Sequence, residues 1–527
     1  MGGWFSKSKQ PKAILREKRK IHDTYPNDKP LKKRLRCTYD YVYRELFCKG
    51  EGSDLTVKCL QQTWTLHRLY VKQVQIAFNH SQSPFFSAML DGGWKESESS
   101  VIELELSDPN ITTDSLKTVF GSFYRDNIYL SDSTVLDYFN ISQQYNIPEL
   151  LKSAVGWLAD NLLLLEDSDD NFQFLKSIPV DFMRQAIERP DLVVVQVEQD
   201  VFLLLLKWVF LLTHTEYKYQ PGSSVMEEAY RFFVSKGPDY LVSPEGAIFA
   251  PVFKAIRWEH VVNVYRSTER MLHDRLIPEA WLSQAFGRQW LRLLRSHEMH
   301  TTFVRSTQSD SENSSTHNHG DSSIRNRQTL ASRQLSYAPF ALDLSLDEPG
   351  PPTDLAPEVF WETSERCGRR MQSGDTTCSW RWTGYHFGFD VVVKYKRRTF
   401  SVIRFSESHN AEGSISHAPV LRLLVSLRVK SIPGETVTQR IEKDESLIDV
   451  VNCPESNFDR SGKWISSGLL SLRLEENVLH EVIRLPDTFS FPAIVSANIL
   501  RYDPVYRTYP PHLLTAVKRL DEQTPTY

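Results

Sequence analysis

Residues 53–67 read SDLTVKCLQQTWTLH, and this stretch decides the fold of the N-terminal half of the chain. Leu55, Val57 and Cys59 alternate with polar residues, which is the pattern of a strand with one buried face. Residues 62–67 continue the alternation and predict a second strand that pairs with the first as a hairpin. A helix is expected to follow.

The elements after this hairpin complete a small α/β domain. Residues 101–106 read VIELEL and alternate as a third strand. Leu116, Val119, Phe120 and Phe123 recur at the spacing of one helical face. The predicted order is therefore strand, strand, helix, strand, helix.

Particular residue types stand at fixed places in this order. They are Ser53-Asp54 before the first strand, His67-Arg68-x-x-Val71 after the second, Ser83-x-x-Phe86-x-x-Met89-Leu90, and Val119-Phe120-x-x-Phe123-Tyr124. This arrangement resembles the BTB/POZ domain, a protein-interaction domain. The resemblance implies structural roles at or near a dimer interface for Asp54, His67 and Phe86. It also implies a face for binding cullin-3, formed by Leu116, Lys117, Phe123 and Tyr124, and it implies no catalytic residue.

Amphipathic helices follow this domain. Residues 148–165 form one apolar face with Pro148 in the first turn, and residues 197–212 form another. Helices in this position resemble the BACK-type region of cullin-3 adaptors. We therefore assign residues 39–135 to the BTB domain and residues 136–298 to a BACK-like helical region.

Longer motifs resemble the germ cell-less family of BTB proteins. They are WKES at 94–97, FGSFYRD at 120–126, QVEQD at 196–200, RCGR at 366–369 and CSWRWTGYHFGFD at 378–390. The resemblance implies a substrate adaptor of a cullin-3 ubiquitin ligase that is located at the nuclear envelope and takes part in germ-cell development. The alternative is a dimerising structural protein of the nuclear envelope that tethers a transcriptional repressor without ubiquitin chemistry.

The chain departs from the family pattern in two places. Residues 74–82 are inserted where the pattern runs directly into the Ser83-x-x-Phe86 helix, either as an interruption of the dimer-forming helix or as a tolerated surface loop. After Val135 the sequence passes almost at once to the BACK-like helices, which predicts a shortened second half of the BTB domain. In addition, the acidic position found in the third BTB helix of many cullin-3 binders falls near Lys117 here.

The C-terminal half is predicted as a separate β-rich domain. Residues 299–357 are rich in serine, proline and charge, so we expect a disordered linker. Strand-like alternation recurs over residues 358–510 and predicts a β sandwich, followed by a tail at 511–527. The aromatic residues of this domain form either a patch that recognises a protein substrate or part of the core. They are Trp380, Trp382, Tyr385 and Phe387.

The first 38 residues are predicted to be a disordered basic tail with two address signals. MGGWFS at the start matches the N-myristoylation pattern with Gly2 as the acceptor, and the following lysines and arginines suit an anionic membrane surface. A second basic cluster resembles a nuclear-import signal and consists of Lys29, Lys32, Lys33, Arg34 and Arg36. Both clusters can also be solvated tails. Together they favour the nucleus at its envelope, with the plasma membrane or cytoplasm also compatible.

Composition narrows the functional classes further. The formal charge of −4 over 527 residues gives no global field for holding nucleic acid, so we expect no direct nucleic-acid binding. Six cysteines without a CxxC pair argue against a zinc site, and no nucleotide-binding or hydrolase motif is present. The sequence thus predicts an α+β multidomain adaptor that is not an enzyme and needs no cofactor. Its expected partners are cullin-3, a protein substrate, a second copy of itself and a membrane surface.

Overall fold

A computed structural model describes residues 41–291, 357–405, 420–432 and 464–501, apart from short gaps (73, 76–79, 82, 92, 107, 109–110, 125–127, 129, 223, 263–264, 375–376, 383–389 and 476). Three large hydrophobic cores follow one another along the chain: an α/β core, a helical core and a β-sandwich core. The predicted α+β multidomain class is confirmed. The predicted linker and both terminal tails lie outside the described residues.

The α/β domain is built on a three-stranded sheet. Its strands are β1 (Leu55–Cys59), β2 (Gln62–Leu66) and β5 (Val101–Glu103), in the order β2-β1-β5, with β2 antiparallel and β5 parallel to β1. Leu60 and Gln61 connect β1 to β2 with positive φ angles of 47° and 59°. Two such residues match the right-handed twist of the hairpin strands, which explains the tight connection.

Helices cover one face of this sheet. They are α1 (Val42–Cys48, a π-helix), α2 (Arg68–Lys72), α3 (Pro84–Asp91), α4 (Lys95–Glu98) and α5 (Thr113–Ser122). Thr112 caps α5 by accepting a hydrogen bond from the Ser115 backbone N–H, which satisfies one free donor of the first turn. The inserted segment between α2 and α3 contains a small antiparallel hairpin of β3 (Val74–Gln75) and β4 (His80–Ser81).

Two further helices belong to both the α/β core and the helical core. They are α6 (Val135–Gln144) and α7 (Pro148–Asn161). Tyr138, Ile141 and Leu150 are buried in the α/β core, whereas Phe139 and Leu158 are buried in the helical core. The structure therefore corrects the predicted boundary at residue 135 and the predicted shortening. The helical pair that closes the α/β domain is present, and the sequence misled because each helix has apolar side chains for both cores.

The helical region continues around a long central helix. The elements are α8 (Asp169–Ser177), α9 (Val180–Glu188), α10 (Gln199–Thr213), α11 (Val225–Lys236), α12 (Ala250–Lys254), α13 (Trp258–Val261), α14 (Tyr265–His273) and α15 (279–291), with 3₁₀ turns at Leu162–Leu164, Tyr240–Val242 and Ala247–Phe249. Helix α10 is buried over most of its surface, as its apolar run of residues 201–212 predicts. None of the helices in the described part of the chain has both the length and the apolarity needed to span a bilayer.

The C-terminal part is a β sandwich preceded by a short helix, α16 (Pro357–Thr363). Its strands are β6 (Glu365–Met371), β7 (Cys378–Trp382), β8 (Asp390–Lys396), β9 (Thr399–Phe405), β10 (Val420–Ser431), β11 (Ile465–Ser466), β12 (Leu470–Glu475), β13 (Leu479–Arg484) and β14 (Ala493–Arg501). The first sheet has the order β11-β10-β14-β6, with β12 also paired to β10. The second sheet has the order β13-β9-β8-β7.

Strand β14 in the first sheet is buried on both faces. Alternate residues of β14, such as Val495 and Ala497, belong to the sandwich core, yet Ser496 and Asn498 between them are buried as well. Their face lies against the helical region, where the Asn498 side chain donates to the Pro190 carbonyl at 3.1 Å. We call this contact between residues 160–198 and the outer face of the first sheet the seam.

A glycine in β6 allows the closest approach across the seam. A Cβ atom added to Gly368 would lie 2.0 Å from the Val194 carbonyl oxygen and 2.7 Å from the Val495 carbonyl oxygen. Both neighbours are backbone atoms, so neither can rotate away. The Gly368 N–H also donates to the Gln196 carbonyl at 3.2 Å across this contact.

We expect Gly368→Ala to lower the free energy of unfolding by about 2–3 kcal/mol, because the added methyl group forces two backbone segments apart. Gly287→Ala is the matched control, since nothing lies within 4 Å of the Cβ position at Gly287 in α15. That control should be neutral or stabilising by about 0.5–1 kcal/mol. Urea unfolding followed by circular dichroism measures both variants, and equal effects would contradict the close packing at Gly368.

Candidate functional site

The first of the predicted site residues, Asp54, lies directly before β1, and its side chain reaches the turn from β2 into α2. Its carboxylate accepts a hydrogen bond from the Arg68 backbone N–H at 2.7 Å. This bond satisfies a donor at the start of α2, where the helix has no partner of its own. The Arg68 guanidinium in turn donates to the carbonyls of Ser97 and Ser99. Asp54 and Arg68 therefore fix the start of α2 against the segment that leads into β5.

His67 is joined to Tyr124 at the end of α5. The Tyr124 hydroxyl accepts from the His67 backbone N–H at 2.8 Å and lies 3.1 Å from His67 Nδ1. His67 Nε2 lies 2.9 Å from the Glu51 carbonyl oxygen, which can only accept. The neutral tautomer with hydrogen on Nε2 satisfies all three contacts, with the Tyr124 hydroxyl donating to Nδ1. Burial raises the pKa of the Tyr124 phenol, so this hydroxyl keeps its proton.

The structure gives these residues internal partners. Asp54 and His67 are bonded within the domain, and Phe86 is buried in the α/β core against the rings of Phe123 and Tyr145. Their structural role follows directly from these contacts. Asp54 is exposed and His67 is half-buried, so both also lie at the surface near α2.

The predicted cullin-3 face is corrected in part. Leu116, Phe123 and Tyr124 are buried in the α/β core and cannot meet a partner, whereas Lys117 is exposed. The reason is physical, since Leu116 and Phe123 belong to the apolar stripe whose helical spacing faces the core. The outward face of α5 lies between those positions.

Exposed apolar side chains on the α/β domain were missed by the sequence analysis. Leu69 on α2 is 75% exposed and Trp94 before α4 is 64% exposed, and Tyr41, Phe85 and Val101 are also exposed. Large apolar side chains held in water are a feature of protein-interaction surfaces. The sequence contains a signal for the exposure of Leu69. In the α2 segment Val71 stands at the spacing of core residues, whereas Leu69 does not.

The predicted aromatic recognition patch is also corrected. Trp380 is only 9% exposed and belongs to the sandwich core, with its ring 6.2 Å from that of Phe400. The core alternative therefore holds for Trp380. Trp382 stands opposite Val391 in the pairing of β7 with β8. The Trp382 side chain, Tyr385 and Phe387 lie outside the described residues.

The predicted lipidation and nuclear-import signals belong to the N-terminal tail. Gly2 and the basic cluster Lys29, Lys32, Lys33, Arg34 and Arg36 lie outside the described ranges. Within those ranges, no group of three or more histidine, cysteine, aspartate or glutamate residues is placed to hold a metal ion. Cys367 and Cys378 are free thiols, and burial raises the pKa of Cys367 well above its ordinary value. A buried, protonated thiol is a poor nucleophile and a poor metal ligand.

The fold defines the class of protein. The family model for the BTB/POZ domain matches residues 43–162, a range that includes α6 and α7. The chain is a BTB-domain protein, and BTB domains generally bind proteins and dimerise.

Full-length relatives define the family. The chain is 27% identical to germ cell-less protein-like 1 of Mus musculus over 519 residues, covering 91% of this chain and 82% of the relative. It is 26% identical to germ cell-less protein-like 1 of Homo sapiens, covering 90% and 83% of the two chains. It is 25% identical to protein germ cell-less of Drosophila melanogaster, covering 89% and 78%. The chain belongs to the germ cell-less family of BTB proteins.

We expect Tyr124→Phe to lower the free energy of unfolding by about 1–3 kcal/mol, because the His67 N–H loses its acceptor inside the domain. Tyr41→Phe is the control, since the Tyr41 side chain is 49% exposed. This control should change stability by less than about 0.5 kcal/mol. Thermal unfolding of the full chain compares the two, and a neutral Tyr124→Phe would show that the hydroxyl does not hold the turn.

Proposed function

We propose that this chain is a non-enzymatic substrate adaptor of a cullin-3 ubiquitin ligase. In this proposal the BTB domain binds cullin-3 and a second copy of the chain, and the C-terminal sandwich binds the protein to be ubiquitylated. The observation that carries the proposal is the architecture. A BTB domain with exposed apolar residues continues through α6 and α7 into a helical region, and a separate β domain packs against that helical region.

The geometry of the sandwich supports a receptor role. Its first sheet is covered by the helical region, and its second sheet, β13-β9-β8-β7, is on the opposite side of the sandwich core. Exposed apolar residues flank the strands β12 and β13: Leu469 lies before β12, and Val478 and Leu479 lie at the start of β13. A protein substrate can therefore approach the sandwich from the side that does not face the helical region.

One observation favours a second function. Lys117 is exposed on α5. The acidic position that the resemblance implies for many cullin-3 binders falls near Lys117, so the exposed charge in this region is positive instead of negative. A BTB protein without ligase recruitment would act by dimerisation alone, as a structural protein that tethers a repressor at the nuclear envelope. Substrate levels that respond to inhibition of the ligase separate the two functions.

Binding of the purified full chain to the N-terminal region of cullin-3 tests the proposal by isothermal titration. We expect binding, and we expect Lys117→Glu to tighten it by about two- to fivefold, since one exposed charge pair contributes up to about 1 kcal/mol. Lys95→Glu, also on the exposed surface of the domain, is the control and should leave binding unchanged. A folded chain that fails to bind cullin-3 in both the natural and the Lys117→Glu form would rule out the adaptor function.

The lipidation motif and the basic clusters extend the proposal to the location of the protein. We propose that myristoylated Gly2 and the adjacent basic residues hold the adaptor at an anionic membrane surface, and that the cluster at 29–36 directs it to the nucleus. One myristoyl chain alone gives only marginal membrane binding, so the basic residues are needed as the second signal.

We expect Gly2→Ala to abolish incorporation of a myristate analogue and to reduce binding to anionic vesicles by about tenfold or more. Gly3→Ala keeps the motif, because position 3 accepts many residues, and should bind as the natural chain does. Vesicle sedimentation of protein made in cells that supply the acyltransferase measures both. Equal sedimentation of the two variants would show that the myristoyl chain does not contribute to membrane binding.

A further inference from the structure

The ion pairs across the seam share one polarity. Among the described residues four ion pairs cross it, and in each one the cation is on the sandwich and the anion is on the helical region. They are Arg366–Glu198, Arg370–Glu166 at 2.7 Å, Arg428–Asp191 at 3.6 Å and Lys430–Asp160 at 3.0 Å. The helical side also carries Arg189, which pairs with Asp191, and Arg257, which donates to backbone carbonyls of Trp361 and Ser364. Paired charges of one polarity are found where two separately folded surfaces recognise each other.

The pair Arg366–Glu198 lies at the centre of this contact. The Arg366 and Glu198 side chains are 2% and 0% exposed, and Arg366 Nε donates to Glu198 Oε2 at 2.9 Å while Nη2 donates to Oε1. The remaining guanidinium donor, Nη1, reaches the carbonyls of Ile187 and Arg189 at 2.9 and 3.1 Å. The arginine therefore has a partner for each nitrogen, which is what a buried charge requires.

The backbone from the end of α9 to the start of α10 accepts hydrogen bonds from the sandwich. The carbonyls of Ile187, Arg189, Pro190, Asp191 and Gln196 each accept a hydrogen bond from Arg366, Asn498, Arg428 or the Gly368 N–H. Buried carbonyl groups in an irregular segment need hydrogen-bond donors from other parts of the chain. The segment therefore depends on the sandwich for hydrogen-bond donors, and β6 depends on the segment for hydrogen-bond acceptors.

We infer that the seam is a self-sufficient docking interface that fixes the orientation of the sandwich on the helical region without help from the covalent linker at 292–356. Each side has its own hydrophobic core, and the contact between them is made of charges, hydrogen bonds and the close approach at Gly368. Because α6 and α7 are shared between the BTB core and the helical core, the orientation extends to the BTB domain. The inference deepens the proposed function. Only one consequence rests on that function, namely that a bound substrate is held at a fixed distance from the ligase.

The test is cleavage of the full chain at an engineered protease site between Ser314 and Ser315. Size-exclusion chromatography at physiological salt should show the two fragments eluting together after cleavage. Raising the salt concentration should weaken the association, since four ion pairs contribute to it. Fragments of the natural sequence that separate at both low and physiological salt would overturn the inference.

Matched substitutions locate the interaction. Arg366→Met removes the buried cation that pairs with Glu198, leaves the carboxylate with Arg257 alone, and should weaken fragment association on the order of a hundredfold or more. Arg370→Met removes a cation at the same seam whose pair with Glu166 is 39% and 76% exposed, and should weaken it by less than about fivefold. Equal effects of the two would also overturn the inference.

A milder variant covers the case in which Arg366→Met does not fold. Lys430→Met removes the half-buried pair with Asp160, whose carboxylate also accepts from Trp464 Nε1 at 2.8 Å, and its effect should lie between the other two. None of these measurements involves cullin-3. A seam that fails to hold and a chain that fails to bind cullin-3 are therefore distinguishable results.

Discussion

The buried ion pair between Glu198 and Arg366 is the constraint on which the arrangement of the C-terminal half depends. Moving two charges out of water costs several kcal/mol per ion, so such a pair persists only where the geometry satisfies both groups completely. Here the carboxylate accepts from two guanidinium nitrogens and from the Arg257 backbone N–H at 3.1 Å, and the third guanidinium nitrogen is bonded to two carbonyls. Any shift of the sandwich along the helical region breaks several of these bonds at once. The pair thus selects one orientation of the sandwich, whatever it contributes to stability.

The electrostatic surroundings of Glu198 match this role. Burial acts to raise the pKa of its carboxyl, but the adjacent Arg366 guanidinium outweighs burial and the pKa is held below its ordinary value. A carboxyl whose pKa is lower in the folded chain stabilises it fully at pH values above the unfolded pKa. The stabilisation is lost only as the pH falls through the lowered value. At neutral pH the Glu198 carboxyl is therefore ionised and keeps its pairing with Arg366.

The amino-acid sequence predicts the local elements well and the contacts between distant segments poorly. Alternation identifies β1, β2 and β14 because each has one face in a core, and helical spacing identifies α5 for the same reason. The same logic fails for α6 and α7, since a helix that contributes to two cores has no single apolar stripe and its domain cannot be read from its pattern. The cullin face implied by the resemblance fails for another reason, because Leu116 and Phe123 stand in the apolar stripe that faces the core. Glu198 and Arg366 are 168 positions apart, and nothing in either local sequence indicates the other.

The positions of function in this chain follow from what the cores leave outside. The BTB domain uses Phe86, Phe123 and Tyr124 to hold itself together, so a partner must be recognised by the exposed residues around them, Leu69, Trp94 and Lys117 among these. In the sandwich Trp380 is buried in the core and the first sheet faces the seam, so the second sheet and the exposed residues beside β12 and β13 remain accessible. The two available surfaces are joined by shared helices at one junction and by the Glu198–Arg366 seam at the other. A protein that binds one partner at each end through such junctions fixes the distance between its partners, and this property distinguishes a rigid adaptor from two binding domains on a flexible tether.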